Sequence, residues 1–289
     1  MASKPLFAFF GTPRFGVAVL DALERQGLLP ALVITAPDKP RGRGLEVSPS
    51  PVKAWATERG IDVATPATLK DEVFAAELGN TDWDAFVVAA YAKLIPKHIL
   101  DIPRGGSLNI HPSMLPKFRG PSPALSAILA DERETGVSVM QMTPTMDAGP
   151  IVAQARIEIG EEEWPLQGQM LEDLLATEGG NLLAEVLPQW LAGEITAEPQ
   201  DESKATFTRK FTDEDARLDS GRLNLPEYAR EALLKIRAFD HGPRAYFVDE
   251  AGKRVIVTDA TGTDGALEIL KVIPEGKKEM SYSEFARKK

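Results

Sequence analysis

The sequence predicts an α/β protein: a mostly parallel sheet flanked by helices, followed by a smaller strand-rich region. Three observations predict it. Short apolar runs alternate with segments of helical spacing up to about residue 160. Residues 85–90 are apolar throughout, as in a strand covered on both faces, and residues 6–10 are a second short apolar run. Composition then turns polar after residue 193, and apolar spacing resumes at Pro226.

Residues 6–10 form a short strand that stops at Gly11-Thr12-Pro13. Helical spacing follows, with Phe15, Val19, Ala22 and Leu23 on one side. Residues 31–36 read as a second strand, and residues 37–51 as a long Pro/Gly/Ser loop. Pro51 opens a helix that carries Val52, Trp55 and Ala56. Strands are expected at residues 85–90, 107–110, 136–142 and 151–159, with a helix at 122–129. Residues 166–191 have the spacing of one long helix or a pair, with Gly179-Gly180 as the weak point. Residues 194–220 read as a polar linker, and residues 226–239 as an amphipathic helix ended by His241-Gly242-Pro243. Strands at 245–248, 254–258 and 266–273 complete a small sheet or partial barrel. The expected division is residues 1–193, a linker at 194–220, and residues 221–289.

The candidate site lies between Asn109 and Asp147. Residues two apart on a strand point to the same side, so Asn109 and His111 aim an amide and an imidazole at one small volume. Asp147 is a carboxylate that could orient or charge the imidazole. Amide, imidazole and carboxylate suit acyl transfer without a protein nucleophile. Ser113 and Ser122 lack the strand-turn-helix setting of a hydrolase nucleophile. His98 and His241 read as capping or packing residues. No histidine pair has metal-ligand spacing, so no metal is expected. The loop at 37–44 carries Lys39, Arg41 and Arg43, which either face solvent or grip an anion by forked contacts.

The absence of cysteine among the 289 residues excludes disulfides and thiolate chemistry. No apolar run approaches a membrane span and no leader pattern opens the sequence, so the cytoplasm is the expected compartment. A net charge of −10 argues against general nucleic-acid binding and leaves only local basic patches for it.

Asn109-x-His111-x-Ser113-x-Leu115-Pro116, Arg119-Gly120 and Asp147 resemble the signature of the folate-dependent formyltransferase family. Phe10-Gly11-Thr12-Pro13, the Arg-Gly-Arg-Gly loop, Gln141-Met142 and the C-terminal region extend the resemblance to the branch that formylates methionine carried by initiator tRNA. The resemblance implies a Rossmann-like domain followed by a small OB-like barrel. It implies 10-formyltetrahydrofolate as co-substrate, initiator methionyl-tRNA as partner rather than DNA, and a monomer. It makes Asn109, His111 and Asp147 catalytic. Ser113, Met114, Leu115, Pro116, Tyr91, Leu94 and Ile95 would contact folate, and Arg43, Arg41, Lys39 and Lys210 would contact tRNA. Two features depart from it. Leu45 and Glu46 stand where relatives carry lysines, predicting a weaker tRNA grip. The barrel is expected to lack strand-forming sequence between Asp259 and Ala266. The closest alternative is a formyltransferase acting on a nucleotide-linked amino sugar.

Overall fold

The computed structural model describes residues 4–41, 46–263 and 265–287. In chain order the elements are β1 (Phe7–Gly11), α1 (Arg14–Arg25), β2 (Leu32–Ile34), β3 (Lys39–Arg41), β4 (Glu46–Ser48), α2 (Pro51–Glu58) and β5 (Asp62–Ala64). Then come α3 (Glu72–Gly79), β6 (Ala85–Ala89), α4 (Lys97–Leu100), β7 (Ser107–His111), α5 (Pro123–Leu129), β8 (Glu134–Gln141), β9 (Ile151–Glu158) and α6 (Gly168–Leu191). The chain continues with α7 (Pro226–Ala238), β10 (Tyr246–Val248), β11 (Arg254–Thr263), β12 (Ala266–Pro274), β13 (Met280–Ser281) and α8 (Tyr282–Arg287).

Contacts gather these elements into two compact units that interleave along the chain, whereas the composition boundaries are sequential. One unit comprises residues 1–119, 136–157 and 173–207; the other comprises 120–135, 158–172 and 208–289.

The first unit is built on a seven-stranded sheet of order β5-β2-β1-β6-β7-β8-β9. β5, β2, β1, β6 and β7 run parallel, and β8 runs antiparallel to β7. The alternation of side chains explains its two cores. Phe7 and Phe9 of β1, Ala85 and Val87 of β6, and Leu108 and Ile110 of β7 face residues of α1, α2 and α6. Ala8, Phe10, Phe86 and Val88 face the other way, onto Leu78 of α3 and Ile99 and Leu100 of α4. Strands buried on both faces are apolar throughout because either side chain direction leaves water.

Several expectations are corrected. The 37–51 loop contains a two-stranded hairpin, β3 with β4, and Ser50 caps α2 by accepting from the Lys53 amide at 3.0 Å. Gly179-Gly180 does not break α6. A Cβ at Gly179 would lie 2.4 Å from Ile110, and one at Gly180 would lie 2.6 Å from Ala22. The glycines let the helix sit directly on the sheet and on α1. The polar 194–220 run begins as part of the first unit: Glu198 exchanges backbone hydrogen bonds with Ile151 at 2.8 Å.

In the second unit α7 packs on α5, β11 and β12. The C-terminal strands form an antiparallel four-stranded sheet of order β10-β11-β12-β13. The stretch expected to lack a strand after Asp259 is strand: β11 continues to Thr263, with a register shift at Asp259. The shift lets an irregular sequence stay in the ladder.

Candidate active site

In the parallel part of the sheet the chain order reverses direction between β1 and β6, the point where open α/β sheets form a ligand crevice. Two buried hydroxyls lie just past these strand ends, Thr12 after β1 and Tyr91 after β6. Among the described residues neither has a hydrogen-bond partner. Burial pushes the Tyr91 phenol up to about 12, so it is a neutral donor across the physiological range. A buried hydroxyl without a partner costs about 1–3 kcal/mol, a cost that a ligand's polar atom can offset.

β7 supplies the amide and the imidazole. Ser107, Asn109 and His111 share the face opposite Leu108 and Ile110, and all three are buried. The Ser107 hydroxyl donates to the Leu100 carbonyl at 3.0 Å. The His111 ring is fixed at both nitrogens. Nε2–H donates to the Phe118 carbonyl at 2.9 Å, which assigns that tautomer, since a carbonyl can only accept. Nδ1 faces the Asp147 carboxylate at 3.8 Å, beyond direct hydrogen-bond length. The imidazole is buried and the carboxylate partly buried, with side-chain exposures of 5% and 16%. A proton on Nδ1 therefore sits beside a carboxylate in a site largely shut from water, where charge interactions are screened less. The Asn109 amide makes no side-chain hydrogen bond among the described residues.

His111 closes its strand at the carboxyl end of the parallel sheet, whereas Asp147 reaches the same place by a different route. Because β8 is antiparallel, its end at Gln141 pairs with Leu108, three residues and about 10 Å of strand rise from His111. The segment between β8 and β9 leaves and returns at one neck, where Gln141 N–H donates to the Pro150 carbonyl at 2.9 Å. Gly149 closes that neck; a Cβ there would lie 1.8 Å from the Gln141 carbonyl oxygen. The excursion brings Asp147 back to His111 with a left-handed backbone, φ 50°. A non-glycine residue holds that conformation only where its surroundings enforce it.

The residues after His111 are tied down by β8 and β9. Ser138, paired with His111 in register, donates to the Ser113 carbonyl at 2.7 Å and accepts from the Leu115 amide at 3.1 Å. Gln154 donates to Ser138 at 2.8 Å and to the Leu115 carbonyl at 2.9 Å. Ser113 donates to the Lys117 carbonyl at 2.7 Å. Ser113 and Leu115 thus serve as the frame of this loop. Met114 lies against Gly136, where a Cβ would meet its sulfur at 2.5 Å. Pro116 accepts from the Thr206 amide at 3.2 Å.

The expected folate contacts after β6 separate by exposure. Tyr91 packs edge-on to Phe10, with ring centroids 5.6 Å apart. Ile95 is buried in the apolar layer with Phe10 and Val88, whereas Leu94 is 76% exposed. Of the expected tRNA contacts, Lys39 is exposed in the first unit and Lys210 is exposed in the second. The Arg41 side chain, Arg43 and Leu45 lie outside the described residues. Beside Lys39, the Lys93 ammonium is held below its usual range, chiefly by burial and also by the Lys39 charge.

Reasoning from sequence missed Ser138, Gln154, Thr12, Gln200 and Glu202. Ser138, Gln154, Gln200 and Glu202 find their partners far away in sequence, and Thr12 is marked only by its burial, so no local pattern singles them out.

A crevice at a sheet reversal, with a buried amide and imidazole on the neighbouring strand and a carboxylate against the ring, fits an α/β group-transfer enzyme. Residues 4–187 match the formyl transferase family, and the chain belongs to that family. It is 38% identical over 299 residues to the methionyl-tRNA formyltransferase of Methylococcus capsulatus, spanning 96% of this chain and 94% of that one. It is 40% identical over 302 residues to the methionyl-tRNA formyltransferase of Thermus thermophilus, spanning 97% and 95%. Among solved structures, a sugar N-formyltransferase from a Shewanella species shares the fold, with a TM-score of 0.65 at 16% identity over 90% of this chain and 98% of that one.

Proposed function

We propose that this chain transfers a formyl group from 10-formyltetrahydrofolate to the α-amine of methionine esterified to initiator tRNA. The product is N-formylmethionyl-tRNA. The convergence of Asn109, His111 and Asp147 carries the chemistry. The acceptor is supported by the alignment with methionyl-tRNA formyltransferases over nearly the whole of both chains.

The residues fit a folate donor: the buried hydroxyls of Thr12 and Tyr91 need partners that a heteroaromatic ring can provide. Folate supplies the formyl group. The roles of the chain follow from its geometry. As the amine attacks, the formyl oxygen gains negative charge, and the uncommitted Asn109 amide is the donor for it. His111 has Nε2–H committed to Phe118, so Nδ1 is its exchangeable edge. The Asp147 carboxylate faces that edge at 3.8 Å, and a proton carried there adds a positive charge to the site. The Asp147 carboxylate accepts the amine proton, directly or through water. As the adduct collapses, the bond from the formyl carbon to the folate nitrogen breaks, that nitrogen takes up the proton and tetrahydrofolate leaves.

The attacking amine must be neutral and His111 must be protonated. The rate therefore rises with pH as the amine loses its proton and falls as Nδ1 loses its own, giving a bell. The deciding experiment offers methionyl-tRNA, uncharged tRNA, a nucleotide-linked amino sugar and water together as acceptors. Formylation of charged tRNA alone supports the reading. Formylation of the sugar, or release of formate only, overturns the acceptor.

A further inference from the structure

Asp147 reaches His111 through an eight-residue excursion in a left-handed backbone, and a side chain far along the chain holds it there. Gln200 Nε2 donates to the Asp147 carbonyl at 2.9 Å and to the Gly149 carbonyl at 2.7 Å, using both hydrogens of one amide. Its Oε1 accepts from Arg119 Nε at 3.0 Å. Arg119 is 3% exposed, and its guanidinium forks onto Glu202, with Nη1 to Oε2 at 2.9 Å and Nη2 to Oε1 at 2.7 Å. The pairing holds the Glu202 carboxyl below its usual range. Arg119 also donates its backbone N–H to the Thr206 carbonyl at 2.9 Å, and the Thr206 hydroxyl accepts the Phe118 amide at 2.8 Å.

Phe118 is the residue whose carbonyl fixes His111 Nε2, and it adjoins Arg119 in sequence. The two partners of the imidazole, Phe118 at Nε2 and Asp147 at Nδ1, are thus tied to one another through Arg119 and Gln200. We propose that Gln200, with Arg119, is the positioning residue that sets the Asp147 carboxylate against His111. The inference rests on the formyl-transfer reading for its kinetic consequence and on geometry alone for its structural one. Arg119 is well suited to the role. A buried guanidinium keeps its charge and presents a rigid fork, so it holds Gln200 Oε1 while remaining neutralised by Glu202. With Oε1 so occupied, the Gln200 amide can only present its hydrogens to the loop.

Two substitutions test this. In Gln200→Glu an oxygen still accepts from Arg119, but the donors to the Asp147 and Gly149 carbonyls are gone. In Gln200→Asn the side chain is one methylene too short to span both partners. Transfer to methionyl-tRNA is measured against pH for wild type and both variants, with melting temperatures and 15N-histidine NMR of the His111 ring. Positioning predicts that kcat falls at least about tenfold, since small misplacements are costly in rate. The KM of each substrate stays within about twofold, as expected when binding contacts survive. The alkaline limb moves, and the His111 ring titrates at a different pH from wild type. In an Asp147→Asn background, Gln200→Glu adds less than about a twofold loss, because both changes act on one carboxylate.

A lower melting temperature with kcat, pH profile and His111 titration unchanged in both variants would overturn the inference. If Gln200→Glu does not fold, Gln200→Asn decides alone by the same readouts. If wild type forms no formylmethionyl-tRNA, the proposed function falls. The His111 titration then decides the clamp by itself: a shift in the variants supports it, and identical titrations overturn it.

Discussion

Two histidines of this protein have carboxylate neighbours, and they are built for opposite ends. His241 is closed on both sides: Nδ1 meets Asp240 at 2.5 Å and Nε2 lies 3.5 Å from Glu172. Asp240 also accepts the Gln169 amide in the first turn of α6, so the cluster fastens the end of α7 to the start of α6. Those bonds push the His241 imidazole up to about 10, Asp240 contributing most and then Glu172, so it is a permanent cation at neutral pH. His111 has one nitrogen committed to a carbonyl and the other at 3.8 Å from its carboxylate, beside an amide with no assigned bond. A histidine with an acid beside it is not thereby a site. The difference lies in what is left unfilled. His241 has exchanged all its options for cohesion, whereas β7 keeps an open edge and a free donor at the cost of burying polar groups.

The comparison is sharpened most by Asn109→Ala. With folate binding retained, kcat should fall about 10²–10³-fold, as for other donors to a developing oxyanion. Thermal stability should hold, because the amide makes no side-chain hydrogen bond among the described residues. Full turnover in a folded Asn109→Ala would remove the amide from the chemistry. Asp147→Asn should cost about 10²-fold in kcat, the usual scale for a proton-transfer group. It should also change the pH profile, because the group that accepts the amine proton is gone. His241→Asn should leave both kcat and the limb where they are. An alkaline limb that followed His241 rather than His111 would break the contrast.

How much of this was legible in the sequence depends on the range of the interaction. Asn109 and His111 could be placed on one face because strand periodicity is local. The cores could be anticipated from runs such as Phe7–Gly11 and Ala85–Ala89, where burial on both faces leaves a compositional mark. Gly179-Gly180 was misread as a weak point because its role is a close approach to Ile110 and Ala22, remote in sequence. The hairpin of β3 with β4 was hidden by Pro40, which can occupy an edge strand. Asp147 was identified by motif, but nothing local shows the excursion that returns it to His111. No local pattern marks β8 as antiparallel to β7, and none marks Gln200 inside a polar run.

A smaller effect tests the frame around His111. Ser138 gives one hydroxyl to three partners, accepting from Leu115 and Gln154 and donating to Ser113. Ser138→Ala leaves the Leu115 amide and the Ser113 carbonyl buried with a partner lost, which should destabilise the protein by about 1–3 kcal/mol in denaturant unfolding. A loss shared between stability and kcat would show that the frame also orients the ring, whereas Ser138→Ala at full stability would show that water replaces the hydroxyl.

The smallest effect belongs to His241, and its sign is set by linkage. The folded imidazole binds its proton more tightly than the unfolded one, whose value is 6.5, against about 10 in the fold. Its contribution is therefore complete below pH 6.5 and is lost as pH rises through that window toward about 10. The side chain is 32% exposed, so solvent screening reduces the contribution to about 1–2 kcal/mol. Unfolding free energies at pH 6 and pH 9 should show wild type losing this amount relative to His241→Asn. The matching comparison at His111 uses His111→Asn, in which the alkaline limb of the rate should flatten. Two histidines with acidic neighbours would then report on different observables, one on the free energy of folding and the other on the rate.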